Sequence, residues 1–167
     1  MQFFLKPESG PGLLFSILNE QGYPAYEAAG EFTPLGCRCT LRTPGGISVA
    51  RMTGVCLPNS FRCSVVQGKR KIQVYLHLGA SSRVPVRFRG VRWRFRGSLV
   101  TRSFDVVEEL PHSHARVVMT HGRCWNGSGD CYAVTVARAE DVPLALCVAV
   151  AVDSSAQNGC LQPVPAG

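Results

Sequence analysis

Between Val86 and Arg96 the chain reads Val-Arg-Phe-Arg-Gly-Val-Arg-Trp-Arg-Phe-Arg. In a strand, successive side chains point to opposite faces, so this alternation puts charge on one face and apolar groups on the other. With Gly90-Val91 as a two-residue turn, the stretch folds into a hairpin. Val86, Phe88, Trp93 and Phe95 then face a core, and Arg87, Arg89, Arg92, Arg94 and Arg96 face out. Arg89 stands opposite Arg92, and Arg87 opposite Arg94. Like charges directly across a ladder cost stability, and a bound anion would relieve that cost. The guanidinium fork suits phosphate oxygens because it donates in pairs. These five arginines are therefore the candidate anion- or lipid-binding residues. The competing account is a solvated outer face with carboxylates on a neighbouring strand. Arginine outnumbers lysine 15 to 3, which a G+C-rich genome would produce unaided.

A second set is His112, His114, His121, Cys124 and Cys131. Histidine and cysteine together can hold zinc tetrahedrally. The spacing here, H-x-H followed by H-x-x-C-x6-C, matches no standard zinc knuckle, so neither a metal nor a cofactor is expected. Cys124 and Cys131 flank the turn Asn126-Gly-Ser-Gly129 and can face each other across a hairpin. No histidine lies in a recognisable nucleophile–base arrangement. There is no Gly-rich phosphate loop, and no paired carboxylates stand out. The chain is expected not to be an enzyme. A site assembled from distant strands would, however, be invisible to motif reading.

The elements that would position these residues are mostly strands. Ile72, Val74, Leu76 and Leu78 alternate with polar residues, as do Tyr132, Val134 and Val136 with Ala133, Thr135 and Ala137. Turn signals recur at Asn19–Gly22, Thr43–Gly46, Gln67-Gly68, Gly90 and Asn126–Gly129. Short strands between regular turns predict a meander or barrel. There is also an internal echo: Phe15-Ser-Ile, Cys39-Thr-Leu and Cys63-Ser-Val recur every 24 residues. The units close on Gly30, Gly54 and Gly79, and Phe104-Asp-Val and Tyr132-Ala-Val are altered copies. The echo places Cys39 and Cys63 in the core, with Cys37 pointing the same way. Repeated hairpins must wrap around something. The candidate is Leu144 to Val152, which is apolar on every side. Its valines favour a strand; Asp141 as a cap and Pro143 in a first turn favour a helix. Periodicity leaves both open. Ser154 to Gly167 is polar and proline-dotted and is expected to be a loose tail.

With 167 residues, 46% of them hydrophobic and 17% charged, the chain can bury a single core. The net charge of +7 favours anionic partners. The N-terminus has no basic start leading into a long apolar run, so no signal peptide is expected. Leu144–Val152 is far short of the ~20 residues that cross a bilayer as a helix. The expected location is cytoplasmic, peripheral at a membrane if lipid is the ligand. The eight cysteines are then reduced by default.

Three stretches in order resemble the LURP-one-related family of the tubby C-terminal-like superfamily, which also includes the phospholipid scramblases. Phe15-Ser-Ile-Leu-Asn-Glu-Gln-Gly-Tyr-Pro-Ala-Tyr-Glu-Ala-Ala-Gly30 looks like its opening hairpin. Trp93-Arg-Phe-Arg-Gly97 followed by Phe104-Asp-Val looks like its central stretch. Trp125, Tyr132-Ala-Val-Thr-Val, Glu140-Asp141 and the apolar run closed by Asp153 look like its ending. The resemblance covers residues 1–153 as one domain, with 154–167 as the tail. It implies an all-β fold with one buried helix: a closed antiparallel β-barrel around a hydrophobic C-terminal α-helix. No lipid-binding motif of tubby or scramblase proteins is present, so no binding residue carries over. The expected function is a non-enzymatic binding domain for an anionic ligand, with phospholipid or phosphoinositide head groups the first choice by this analogy. A structural or protein-interaction domain without a small ligand is the alternative, and an enzyme the third. Nucleic acid is disfavoured because the basic hairpin turns its aromatics inward.

Overall fold

The structure is a computed structural model that describes residues 1–77, 84–125 and 130–157. Leu78 and Gly79, the Asn126–Gly129 turn and the tail from 158 onward lie outside the described residues. The strands are β1 (Gln2–Pro7), β2 (Leu13–Asn19), β3 (Pro24–Thr33), β4 (Gly36–Arg42), β5 (Ser48–Leu57), β6 (Ser60–Gln67), β7 (Arg70–His77), β8 (Val86–Arg89), β9 (Trp93–Ser98), β10 (Ser103–Glu108), β11 (Arg116–Trp125) and β12 (Asp130–Val136). They form one 12-stranded sheet in the order β8-β7-β6-β5-β4-β3-β2-β1-β12-β11-β10-β9. Every pairing is antiparallel, and β1 pairs with β12 through Phe3↔Val134 and its neighbours. The sheet thereby curls into a nearly closed barrel whose two edges are β8 and β9.

The alternation seen in the sequence sets which face is inside. Ile72, Val74 and Leu76 are buried, as are Val134 and Val136. The echo is structural: Phe15, Cys39, Cys63, Phe104 and Tyr132 all lie in the core. The closing glycines pair with the core residue of the following strand, as in Gly30↔Cys39 and Gly54↔Cys63. At Gly30, φ is +146°, and a Cβ would collide with the Arg38 carbonyl oxygen. Only glycine allows the strand to cross there.

The C-terminal apolar segment is a helix, α1 (Val142–Gln157), preceded by a 3-10 turn at Ala139–Asp141. The strands pair side by side around the wall of the barrel, with their ladders in the plane of the sheet. A central segment finds no ladder partner and must satisfy its own backbone groups, which only a helix does. That requirement outweighs the strand preference of its valines. The helix lies closest to β5 and β6. It extends past the expected boundary at 153, and Ser154 and Ser155 are buried in it, so the tail does not begin at Ser154. The Ser155 hydroxyl donates to the Ala151 carbonyl. Asp141 does not act as the expected cap. Its carboxylate accepts from Arg70 at 2.9 Å and from Arg116 at 3.4 Å. It thus pins the start of the helix to β7 and β11.

Candidate anion-binding face

The five arginines of the Val86–Arg96 stretch all lie on the surface, but not in the hairpin register that the sequence suggested. β8 pairs with β7 and β9 with β10; no ladder joins β8 to β9. The expected Arg89–Arg92 and Arg87–Arg94 pairs are therefore not rungs of a sheet. The reason is topological: these strands are consecutive in the chain but are the two edges of the barrel. Val86 and Trp93 are buried as expected, while Phe88 and Phe95 are only half-buried. Arg94 meets Glu109 at 2.6 Å and Arg96 meets Asp105 at 3.6 Å, so these two have carboxylate partners beside β10. Among the described residues, Arg87, Arg89 and Arg92 form no salt bridge.

The strand registers gather further cations that the sequence reading missed. Arg38, Thr53, Ser64, Gln73 and Arg89 form one row across β4 to β8. Thr40, Arg51, Val66 and Lys71 form a second row, and Val55, Arg62, Tyr75 and Arg87 a third. Arg38, Arg51, Arg62, Lys71, Arg87 and Arg89 are all exposed. With strands about 4.8 Å apart and rows about 7 Å apart, the six cations share a patch roughly 20 Å by 14 Å. Arg62 and Arg89 flank the Tyr75 ring at 5.4 and 5.6 Å, and the Tyr75 hydroxyl donates to Gln73 at 2.9 Å. No outward position of these strands carries a carboxylate. The signal was in the sequence all along: from Phe32 to Phe104 there is no Asp or Glu, while 14 of the 18 Lys and Arg fall there.

The face is convex, being the outside of a barrel, and it carries a shallow depression of about 270 Å³ lined by Lys71, Gln73, Arg89 and Gly90. A larger open groove of about 600 Å³ is lined by Arg92, Arg94, Glu109 and the chain from Leu110 to Ala115. Such a surface meets another surface better than it encloses a small molecule.

The histidine and cysteine set is dispersed. His112 and His114 are exposed in the connection between β10 and β11. Cys124 and Cys131 face each other in register, with Cα atoms 5.4 Å apart, and are joined as a disulfide. This corrects the expectation of eight reduced thiols. His121 turns inward, where its Nδ1–H donates to the Arg102 carbonyl at 2.6 Å. A carbonyl only accepts, so this contact fixes the tautomer, and Nε2 faces Asp153 Oδ2 at 3.0 Å. The ring stacks between Phe104 and Tyr132. Among the described residues, no group of three or more His, Cys, Asp or Glu is placed to hold a metal ion. The remaining core thiols, Cys37, Cys39, Cys63 and Cys147, are buried. Burial, and secondarily the neighbouring thiols, pushes Cys39 up to about 12 and raises Cys63 and Cys147 as well.

The fold as a whole matches an X-ray structure of an Arabidopsis thaliana protein with a TM-score of 0.50 over 94% of this chain and 91% of that one, at 12% identity. At that identity the likeness is one of fold alone. No family model and no curated protein matches the chain. No described helix is long and apolar enough to cross a membrane.

Proposed function

We propose that this chain is a LURP-one-related, tubby-like barrel that acts as a non-enzymatic binding domain for anionic surfaces, with phospholipid head groups as the ligand. One observation carries the reading: six exposed cations on β4 to β8 with no carboxylate among them. A fold that needed these charges only for solubility would intersperse carboxylates, as it does beside β10. Threonine and serine hydroxyls between the cations, at Thr40, Thr53 and Ser64, add donors for phosphate oxygens. The shape fits a planar array of head groups, since the patch is broad and open rather than a pocket. Arg94 and Arg96 are secondary, because Glu109 and Asp105 already neutralise them.

The test is co-sedimentation with vesicles of phosphatidylcholine alone and of phosphatidylcholine with phosphatidylserine. Each Lys or Arg near an anionic leaflet contributes about 1 kcal/mol. Changing Arg62, Lys71 and Arg87 together to Gln should therefore weaken binding to anionic vesicles by roughly two orders of magnitude. Changing Arg94 and Arg96 to Gln should do much less. Equal binding to both vesicle types, or tighter binding to single-stranded oligonucleotides than to anionic vesicles, would reject the lipid reading.

A further inference from the structure

The barrel does not close between β8 and β9. These edges are joined only at one end, through Gly90 to Arg92, and none of their residues pair in a ladder. Each edge strand therefore points half of its backbone N–H and C=O groups into the seam. Of the inward aromatics beside the seam, Trp93 is buried, while Phe88 on β8 and Phe95 on β9 are half-buried and pack only partly against the core. Phe88 meets Trp93 edge-on across the seam at 5.8 Å. The outward positions along the two edges are Arg87 and Arg89 on β8 and Arg94, Arg96 and Ser98 on β9, four cations and one hydroxyl.

Free backbone groups, an apolar floor and a cationic rim on one strand edge are three features that one kind of ligand satisfies together. We propose that the seam is a peptide-docking edge, at which an extended acidic segment of a partner protein adds a strand to β9. Backbone pairing is the decisive part, since head groups and free anions cannot satisfy a row of alternating donors and acceptors, whereas a strand does. In an added strand the side chains alternate. Apolar ones turn in towards Phe88 and Phe95, and acidic ones turn out to the arginines. β9, with six residues to the four of β8, offers the longer edge. Arg94 and Arg96 remain usable there, because each holds its carboxylate on the β10 side and can bridge to a second one across the seam. The site is separate from the convex face of β4 to β8, and it stands whether or not that face binds lipid.

Amide hydrogen exchange on the intact chain tests the proposal without a mutation that endangers the fold. The probe is an acetylated, amidated heptapeptide alternating Val and Glu. Its addition should slow exchange of amides within Trp93–Ser98 by about tenfold or more. The same peptide with Lys for Glu should not slow them, nor should a version N-methylated at alternate residues, which cannot donate to the edge. Three results would overturn the proposal. One is no slowing in β9 with the Glu peptide. Another is equal slowing by the Lys peptide. The third is free-protein protection of all Trp93–Ser98 amides as strong as that of β10, which would mean the barrel is closed. If vesicles containing phosphatidylserine slow these amides as the peptide does, the seam is a lipid contact and not a peptide edge. Loss of vesicle binding in the Arg62, Lys71 and Arg87 variant bears only on the convex face, so the two failures are distinguishable.

Discussion

A residue's type told less here than the company its strand register gives it. Arg87 and Arg94 look equivalent in the sequence, yet Arg94 has Glu109 at 2.6 Å and Arg87 has no carboxylate partner among the described residues. Arg94→Gln should lower stability slightly, by less than about 1 kcal/mol because the pair is exposed, and Arg87→Gln should leave it unchanged. Paired denaturant melts of the two variants check this. The core cysteines were easier to place, because the repeat put Cys39 and Cys63 where Phe15 sits, and all are buried. Alkylation followed by mass spectrometry of the native protein should miss both, since thiolate is the reactive species and it is rare at a thiol raised from 9.0 to about 12. The same shift has a pH consequence. The protonated thiol is favoured in the fold, so its contribution is intact below pH 9.0 and is lost progressively as pH rises towards about 12. Within that window, a Cys39→Ala variant should lose stability less steeply than the parent, by up to about 1.4 kcal/mol per pH unit.

At the scale of elements, the helix and the groups that hold its two ends make the strongest predictions. Leu146 is fully buried in α1. Leu146→Asp should prevent folding, because an unpaired buried carboxylate costs several kcal/mol. Leu146→Ala should fold and lose about 2–5 kcal/mol. A soluble, cooperatively melting Asp variant would show that the segment is not core. At the other end, Asp153 joins α1 to β11 through His121, and His121 in turn joins Arg102 in the turn before β10. Burial raises the Asp153 carboxyl above its ordinary 3.8, with His121 opposing the shift. The sign follows from linkage. The neutral acid is favoured in the fold, so its stabilisation is present below 3.8 and is lost as pH rises through the higher folded value. Asp153→Asn stays neutral and can still donate to His121 Nε2. Its stability relative to the parent should therefore improve as pH rises from 4 towards neutrality, measured by denaturant melts at each pH.

The whole molecule is electrostatically lopsided. The arc from β4 to β9 holds most of the cations and no carboxylate, and the acids fall in β3, β10 and β12, the connections outside that arc and the C-terminal helical segment. Binding to anionic vesicles should accordingly fall steeply with added salt, because exposed charges are screened within about 8–10 Å at ordinary ionic strength. One carboxylate placed centrally should do disproportionate harm. Thr53 sits on β5 between Arg38 and Ser64. Thr53→Glu should lower anionic vesicle binding by about tenfold or more, through the lost attraction and the new repulsion together. The melting temperature should stay within a few degrees of the parent. Unchanged vesicle binding by this variant would show that the face is ordinary surface.

The sequence by itself determined the pieces that depend on local periodicity. Strand alternation named the core faces, the 24-residue echo named the buried cysteines, and an apolar run named the segment at the barrel's centre. Periodicity stopped there because an all-round apolar run reads the same as a buried helix or a buried strand. Enclosure by twelve strands decided for the helix, since nothing inside a barrel offers its backbone a ladder. Tertiary structure alone also decided the fate of the arginines. Val86–Arg96 has the sequence of a hairpin, and its strands do follow each other, but the ring of pairings left them as opposite edges. Which cation meets a carboxylate, and which lies in a row with Arg38 and Arg62, depends on register between strands distant in the chain. Register is set by the closing of the sheet and not by any one strand's own sequence.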